Sequence, residues 1–503
     1  MTYIETKDFS IYPVNYLDAI IEGNPFYIQF KKFEPEIEAQ TIKIIHRYLE
    51  QYDLLFHKNT IISIIKELIS NAVKANLKRI YFESSELDID NPAHYRKGME
   101  TFKEYVFQSQ KSKILSLLNE SKYAVKVTFS TSNDNIQINV KNNIAILEPE
   151  LKKIKSRVSK AYKYNNIAEA FEDVLDDSEG AGLGLIMALM LLKNSGFPRD
   201  SFSIEQYETG TLASLSIPYN KTSPESHFKI TEEIVKEIDK IPSLPDNVKR
   251  IGLLCKNPES TIKDISHAIS IDPGLTASII KLSNSAGYIT MNRIETIGEA
   301  VKIIGIEGIN TLLIATGVQK IVEAKYKKFE AIWNDSQKRA FYAQQIIKKT
   351  GKNSRQADQV YLAALLADIG RIVMLSLQDD LFKKLKEISG YKGIEDASLL
   401  EEIALGISHS SLGAMICKKW NFNESLTKTI ELHHRPHLAP ENLEALIYTV
   451  YLADLFVDIE KNRSRFEIAD EDVLKFFNLD LKEEFIIYHN SISKKFFSKI
   501  ETP

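Results

Sequence analysis

At 503 residues the chain is too long for one hydrophobic core, so two or three domains are expected. A mix of 44% hydrophobic and 26% charged residues is ordinary for a globular protein, and a formal net charge of −4 makes no case for nucleic-acid binding, which needs a strong basic balance or stripe. The two cysteines, Cys255 and Cys417, exclude a disulfide framework and read as small buried thiols in apolar helical stretches.

Residues 1–12 lack a basic start followed by an apolar run, so no signal peptide is expected. The longest apolar runs, around 183–192 and 445–457, fall short of the roughly 18 uncharged residues that a spanning helix needs. The expectation is a cytoplasmic protein.

In chain order, residues 60–77 place Ile61, Ile64, Ile65, Leu68 and Ala72 at helical spacing. Strands are expected at 79–82, 124–130 and 135–140, where Ile136 and Ile138 alternate. Residues 88–120 between the first two read as a helical insertion. Two closing strands, 204–207 and 212–218, flank a turn at Gly210. Helices with a mixed or antiparallel sheet predict an α+β layer over residues 1–220. The polar, proline-bearing stretch after Ile217 reads as a linker, taken as 221–234. Beyond it nearly everything is helical. Breaks fall at Pro242, Pro258, Pro273, Gly287, Gly305, Gly351, Gly370, Gly390, Gly406 and Pro436. The tail, 441–503, carries Phe476, Phe477 and Phe485 as packing residues.

Two features in the first part suit a nucleotide. Glu67 and Asn71 are four apart, on one helix face, where a carboxylate and a carboxamide suit hydrated Mg²⁺. Gly180-Ala181-Gly182-Leu183-Gly184-Leu185 then runs into an apolar helix. Its glycines let backbone approach a phosphate, and the helix N-terminus attracts that charge. Taken separately, these are a solvated face and a glycine turn before a buried helix.

In this order, with strands between, they resemble the GHKL ATPase family, which includes gyrase, Hsp90 and the histidine kinases. The resemblance covers about residues 40–218. Glu67 to Asn71, with Lys74, looks like the family's N-box. Gly180, Gly182, Leu183 and Gly184 look like its second glycine box, and Gly210-Thr211 like the pair opening its last strand. The resemblance implies a two-layer Bergerat-type sandwich that binds ATP with Mg²⁺ under a lid at 151–179. It assigns Mg²⁺ to Asn71 and water activation, the catalytic role, to Glu67. At the family's adenine-reading Asp-x-Gly-x-Gly this chain has Asn142-Asn143-Ile144-Ala145. Asn142 both accepts and donates, which weakens purine choice. His46 and His57 lack the following acid of a phosphoacceptor helix, so any kinase activity would be toward a separate protein.

In the second part Asp272-Pro273 caps a helix and Asn284 to Gly287 ends one. With Ile241-Pro242-Ser243-Leu244-Pro245, Ile297-Gly298-Glu299 and Ile304-Gly305, these resemble the HDOD family over about 235–440. The resemblance implies an all-helical relative of HD phosphohydrolases, acting as a signalling output or scaffold. The superfamily's first metal-binding His falls at Asp335, and the His of its His-Asp pair at Ala367, which offers no lone pair. Asp368 remains. His409, His433 or His434, and Asp454 can converge with it, as relict metal ligands or simply as a buried hydrogen-bonded polar cluster. No transition metal is expected here. The expected whole is a bacterial signalling protein in which a Mg-ATP module regulates an HDOD interaction module and a protein partner. An ATPase or kinase acting on a separate partner is the alternative, and a metal-dependent phosphodiesterase comes third. A homodimer is expected only because both families occur in assemblies.

Overall fold

The computed structural model describes residues 9–107, 118, 120–132, 134–164, 183–207, 210–219, 232–285, 293–326, 329–350, 354–377 and 397–500. Contacts divide the chain into two compact units, residues 1–229 with 402–406, and residues 230–401 with 407–503. The expected linker at 221–234, up to residue 231, lies outside the described residues.

The first unit runs β1 (Phe9–Tyr12), α1 (Tyr16–Glu22), β2 (Phe26–Phe30), α2 (Pro35–Gln51), α3 (Lys58–Ser84), α4 (Pro92–Phe107), β3 (Val125–Thr131), β4 (Asn135–Asn142), α5 (Glu148–Ala161), α6 (Leu183–Asn194), β5 (Phe202–Tyr207) and β6 (Gly210–Pro218). The described strands form one antiparallel sheet in the order β1-β2-β3-β4-β6-β5. Alternation fixes which face is inside. Phe26, Ile28 and Phe30 of β2, Val125, Val127 and Phe129 of β3, Ile136, Ile138 and Val140 of β4, and Leu215 and Ile217 of β6 are all buried. Helices cover that face with Ile44, Ile45 and Leu49 of α2 and Ile61, Ile64, Ile65 and Ile69 of α3. The Phe26 and Phe129 rings stack with centroids 4.6 Å apart. Tyr48 of α2 donates its hydroxyl to the Ser130 carbonyl at 2.6 Å, tying the helix layer to the sheet.

One expectation changes here. Residues 79–82 are not a strand but the last turns of α3. The helical period continues through Leu77, Ile80 and Tyr81, and Ile80 packs with Leu118, Tyr123 and Ile144. Phe82 lies so close under α4 that a methyl on Gly98 would overlap its ring. Within the layer expected over 1–220, β1, α1, β2 and α2 are elements for which the sequence offered no reading. In the segment read as a helical insertion, 88–120, residues Pro92–Phe107 form α4, while 108–117 lie outside the described residues.

The second unit is helical: α7 (Glu232–Lys240), α8 (Asp246–Lys256), α9 (Ile262–Ser270), α10 (Pro273–Ser285), α11 (Ile297–Lys325), α12 (Glu330–Lys349), α13 (Ser354–Leu366), α14 (Ile369–Leu377), the part of α15 (Ala397–Leu405) up to Glu401, α16 (His409–Lys419), α17 (Glu424–Leu432), α18 (Glu444–Glu460), α19 (Glu471–Phe476) and α20 (Lys482–Ile500). Its punctuation is chemical. Capping boxes, Thr261 with Asp264 and Thr296 with Glu299, start α9 and α11. Asp272 Oδ1 accepts from the Leu275 amide at 2.9 Å and starts α10. Asn284 closes that helix by bonding the backbone of Ile280 and Ile294. Gly305, at φ 83°, breaks the helical path inside α11, a conformation that favours glycine.

Residues 297–325 and 356–377 are long and apolar enough to cross a membrane by composition, but 61% and 78% of those windows are buried within the protein, as befits core helices. In the tail, Phe477 and Phe485 are buried as expected, whereas Phe476 is 38% exposed and meets Tyr448 edge-on. Cys417 is buried and Cys255 only partly so.

Candidate functional sites

In the first unit, α3 presents Glu67, Asn71 and Lys74 on one side. Asn71 donates its amide to Glu67 Oε1 at 3.1 Å. Leu183 and Gly184 open α6, while Gly180, Gly182 and 165–182 generally lie outside the described residues. A methyl added at Gly184 would overlap the Glu67 carboxylate. The Glu/Asn helix face and the start of the glycine-led helix are therefore in contact, far apart in sequence though they are.

A second group forms at the sheet end. Asn142 pairs in register with Thr211 across β4 and β6, and Asn142 is buried. Thr211 Oγ1 donates to the Ile144 carbonyl at 2.7 Å. A methyl on Gly210 would overlap the Asn142 carbonyl oxygen, so glycine permits this approach. Asn143 holds the turn after β4 through its side chain. Its Oδ1 accepts from the Ala124 amide at 3.0 Å, and its Nδ2 donates to the Lys122 carbonyl at 2.8 Å. An asparagine clip thus ties the turn after β4 to the residues that lead into β3.

In the second unit the polar residues singled out from sequence do converge. Asp368 follows α13 and Asp454 lies on α18, both buried. His409 opens α16, while His433 and His434 follow α17. His409 Nδ1 lies 2.6 Å from Glu401 Oε2, and that same oxygen accepts from the His409 backbone amide at 2.8 Å. With Nδ1 donating to Glu401, Nε2 faces inward, 3.3 Å from Asp368 Oδ1 and 3.1 Å from His434 Nε2. His433 Nδ1 donates to the Ile430 carbonyl at 2.7 Å, and His433 Nε2 has no hydrogen-bond partner. One ring nitrogen from each of the three histidines lies within 4.8 Å of the others.

Three members of this cluster carry charge that sequence reasoning missed. Arg339 of α12 donates Nε to Asp454 Oδ1 at 2.5 Å and Nη2 to Asp368 Oδ2, with Nη1 3.4 Å from the Ala364 carbonyl. Arg371 reaches Asp368 Oδ1 at 3.2 Å and Glu401 Oε1 at 3.3 Å. Glu401 is the third. The signal was present for one of them: Arg339 falls on the buried stripe of α12 with Ser336, Ala340 and Ala343. A charged residue there calls for a partner.

Burial alone would raise the Asp368 carboxyl, but Arg339, Arg371 and His409 hold it well below its ordinary value. Burial and the neighbouring His409 push His433 down to about 4. Burial and both other histidines depress His434 as well. Burial and the Asp454 charge raise Asp458 to about 7.

An HD-type metal centre would need ligands that these residues do not supply. At the first-ligand position, Asp335 turns to an ion pair with Lys461. Ala367 is fully buried and presents only a methyl. Between the two remaining aspartates sits the Arg339 guanidinium. The residues do not fit a divalent ion bridging Asp368 and Asp454.

Residues 241–436 match the HDOD domain model, which makes the second unit an HDOD-bearing helical domain. Over 420 residues the chain is 32% identical to an uncharacterised protein of Treponema pallidum (strain Nichols), covering 84% of this chain and 81% of that one. The chain belongs to the family of that protein. Among solved structures, an HDOD domain protein of unknown function from Geobacter sulfurreducens is 22% identical, covering 52% of this chain and 95% of that one, with a TM-score of 0.42. A Marinobacter aquaeolei VT8 protein, whose description proposes a role in signal transduction, is 18% identical over 62% of this chain and 79% of that one, with a TM-score of 0.41.

Proposed function

We propose that the chain is a bacterial signalling protein in which a GHKL-type module binds Mg-ATP and regulates a non-hydrolytic HDOD interaction module. The observation that carries the nucleotide half is Gly184 set against Glu67 at the start of α6, beside Asn71. A helix N-terminus, glycine backbone and a Glu/Asn pair are the parts a magnesium-bound triphosphate needs. Asn71 holds Mg²⁺ with the phosphates, Lys74 and the loop of Gly180, Gly182, Leu183 and Gly184 contact them, and Asn142 with Thr211 faces the base. The relay acts on a protein partner in the cytoplasm, in keeping with the role proposed for the Marinobacter protein.

The test is calorimetric titration of the full chain with ATP and ADP, with and without Mg²⁺. Magnesium-dependent ATP binding, weakened about tenfold or more by Asn71→Ala, is the expected result. Absence of binding in the wild type would remove the nucleotide reading. A second reading, an ATPase or a kinase acting on a separate partner, is favoured by the Glu67 carboxylate beside Asn71. It requires Mg²⁺-dependent turnover that Glu67→Ala abolishes while ATP still binds.

A further inference from the structure

We propose that Arg339 is the resident cation of the HDOD domain: its guanidinium bridges Asp368 and Asp454 in place of a divalent metal ion and keeps one out. This inference is independent of the nucleotide reading, since it concerns the second unit alone.

Three observations carry it. Arg339 is almost wholly buried, at 4% side-chain exposure, and its planar fork bonds one carboxylate through Nε and the other through Nη2. A guanidinium is always charged and suits two carboxylates arranged around it, as a bridging metal would. Two expected ligands are absent at the same place, Asp335 being paired with Lys461 and Ala367 being a buried methyl. Arg371 adds a second cation on Asp368 Oδ1 at 3.2 Å, so a dication at that carboxylate would face two guanidiniums.

The rest of the donor set has not decayed. The ring nitrogens of His409, His433 and His434 still cluster, and His409 is still oriented by Glu401. His433 Nε2 and Asp368 Oδ1 are buried without an aligned hydrogen-bond partner. The cluster is therefore a set of metal donors with its lock in place, and removing the lock should free them. Freed from Arg339, Asp368 and Asp454 would join three imidazoles, a mixed N/O set that borderline divalent ions accept.

The experiment uses the full chain as wild type, Arg339→Ala, Arg339→Gln and Arg339→Lys. Each is stripped with EDTA, exposed to Mn²⁺ or Zn²⁺ alone, dialysed, and measured for retained metal and melting temperature. Wild type should retain no stoichiometric metal, and its melting temperature should not respond to EDTA or to either ion. Arg339→Ala should melt lower, bind Mn²⁺ or Zn²⁺ at least about tenfold more tightly than wild type, and recover part of its melting temperature on doing so. Arg339→Lys, which keeps the charge, should stay metal-free. Arg339→Gln gives the same reading as the alanine variant if the latter fails to fold. Metal-loaded wild type overturns the proposal, and so does a folded neutral variant that takes up neither ion.

Discussion

Gly370→Ala tests how tightly the HDOD cluster depends on backbone contact. Gly370 is the second residue of α14, and it faces the first turn of α16, which carries His409. A methyl built there would overlap the His409 carbonyl oxygen, lie 2.8 Å from the Gly413 amide nitrogen and 3.0 Å from the His409 carbonyl carbon. Ordinary contact begins near 3.4 Å, and all three obstacles are backbone, so no side chain can swing aside. The helices must separate by about 1 Å or the local backbone must bend. Overpacking in a close-packed core costs about 1–3 kcal/mol, and a rigid obstacle places this case at about 3 kcal/mol or above. For a domain of this size that is a fall of roughly 6–12 °C in melting temperature. The same shift would draw His409 away from Asp368, now 3.3 Å from its Nε2. Differential scanning calorimetry of the full chain measures the first effect. Gly298→Ala is the control, because nothing lies within 4 Å of a methyl there, and it should be neutral or stabilising by about 0.4–1 kcal/mol. A Gly370→Ala transition within about 2 °C of wild type would show that the α14–α16 contact does not set the site.

Two further outcomes follow from the same cluster and from a helix start. His433 has a folded-state value depressed to about 4 against an ordinary 6.5, so between those values the unfolded chain binds the proton and the folded one does not. Stability from this group is therefore intact above pH 6.5 and is lost as pH falls toward 4. At about 1.4 kcal/mol per pH unit the window spans roughly 3 kcal/mol. Asp458, raised to about 7, titrates with the opposite sign over an overlapping range. The informative measurement is thus urea unfolding of wild type against His433→Asn at pH 7 and pH 4.5, where wild type should lose ground relative to the variant; parallel pH profiles would contradict a neutral buried His433. Thr261→Ala removes the α9 capping box, in which Thr261 Oγ1 accepts from the Asp264 amide at 3.2 Å and Asp264 Oδ2 from the Thr261 amide at 2.9 Å. It should cost about 1 kcal/mol in chemical denaturation, and no loss would mean that solvent caps α9 equally well.

Much of the fold was legible because it rests on short-range chemistry. The alternation of Ile136 and Ile138 announced β4, and Asp272-Pro273 announced α10. The failure at 79–82 is equally local: four residues cannot separate a period of two from one of 3.6, and the decision lay with Ile80 packing against Leu118, Tyr123 and Ile144 and with Phe82 packing against the residues that follow α3. Of the candidate sites, the sequence yielded the residues that a family pattern marks, such as Glu67, Gly184, Asp368 and His409. It did not yield Arg339, Arg371 or Glu401, because no motif holds them. Their roles exist only through distance in space: Arg339 meets Asp454 from 115 positions away.

That difference bears on what a lost motif means. Ala367 and Asp335 read in sequence as simple decay of a metal site, which would leave Asp368 and Asp454 as uncompensated buried carboxylates. Such charges are costly to bury without a partner, typically by several kcal/mol each. The fold tolerates them because Arg339 and Arg371 supply the missing positive charge from α12 and α14. In the first unit a polar side chain also does structural work, since Asn143 bonds the backbone of Lys122 and Ala124 and holds the turn after β4. In the second unit the buried guanidiniums supply the positive charge that Asp368 and Asp454 need. A deleted ligand is thus evidence about function only after its electrostatic replacement has been sought in three dimensions.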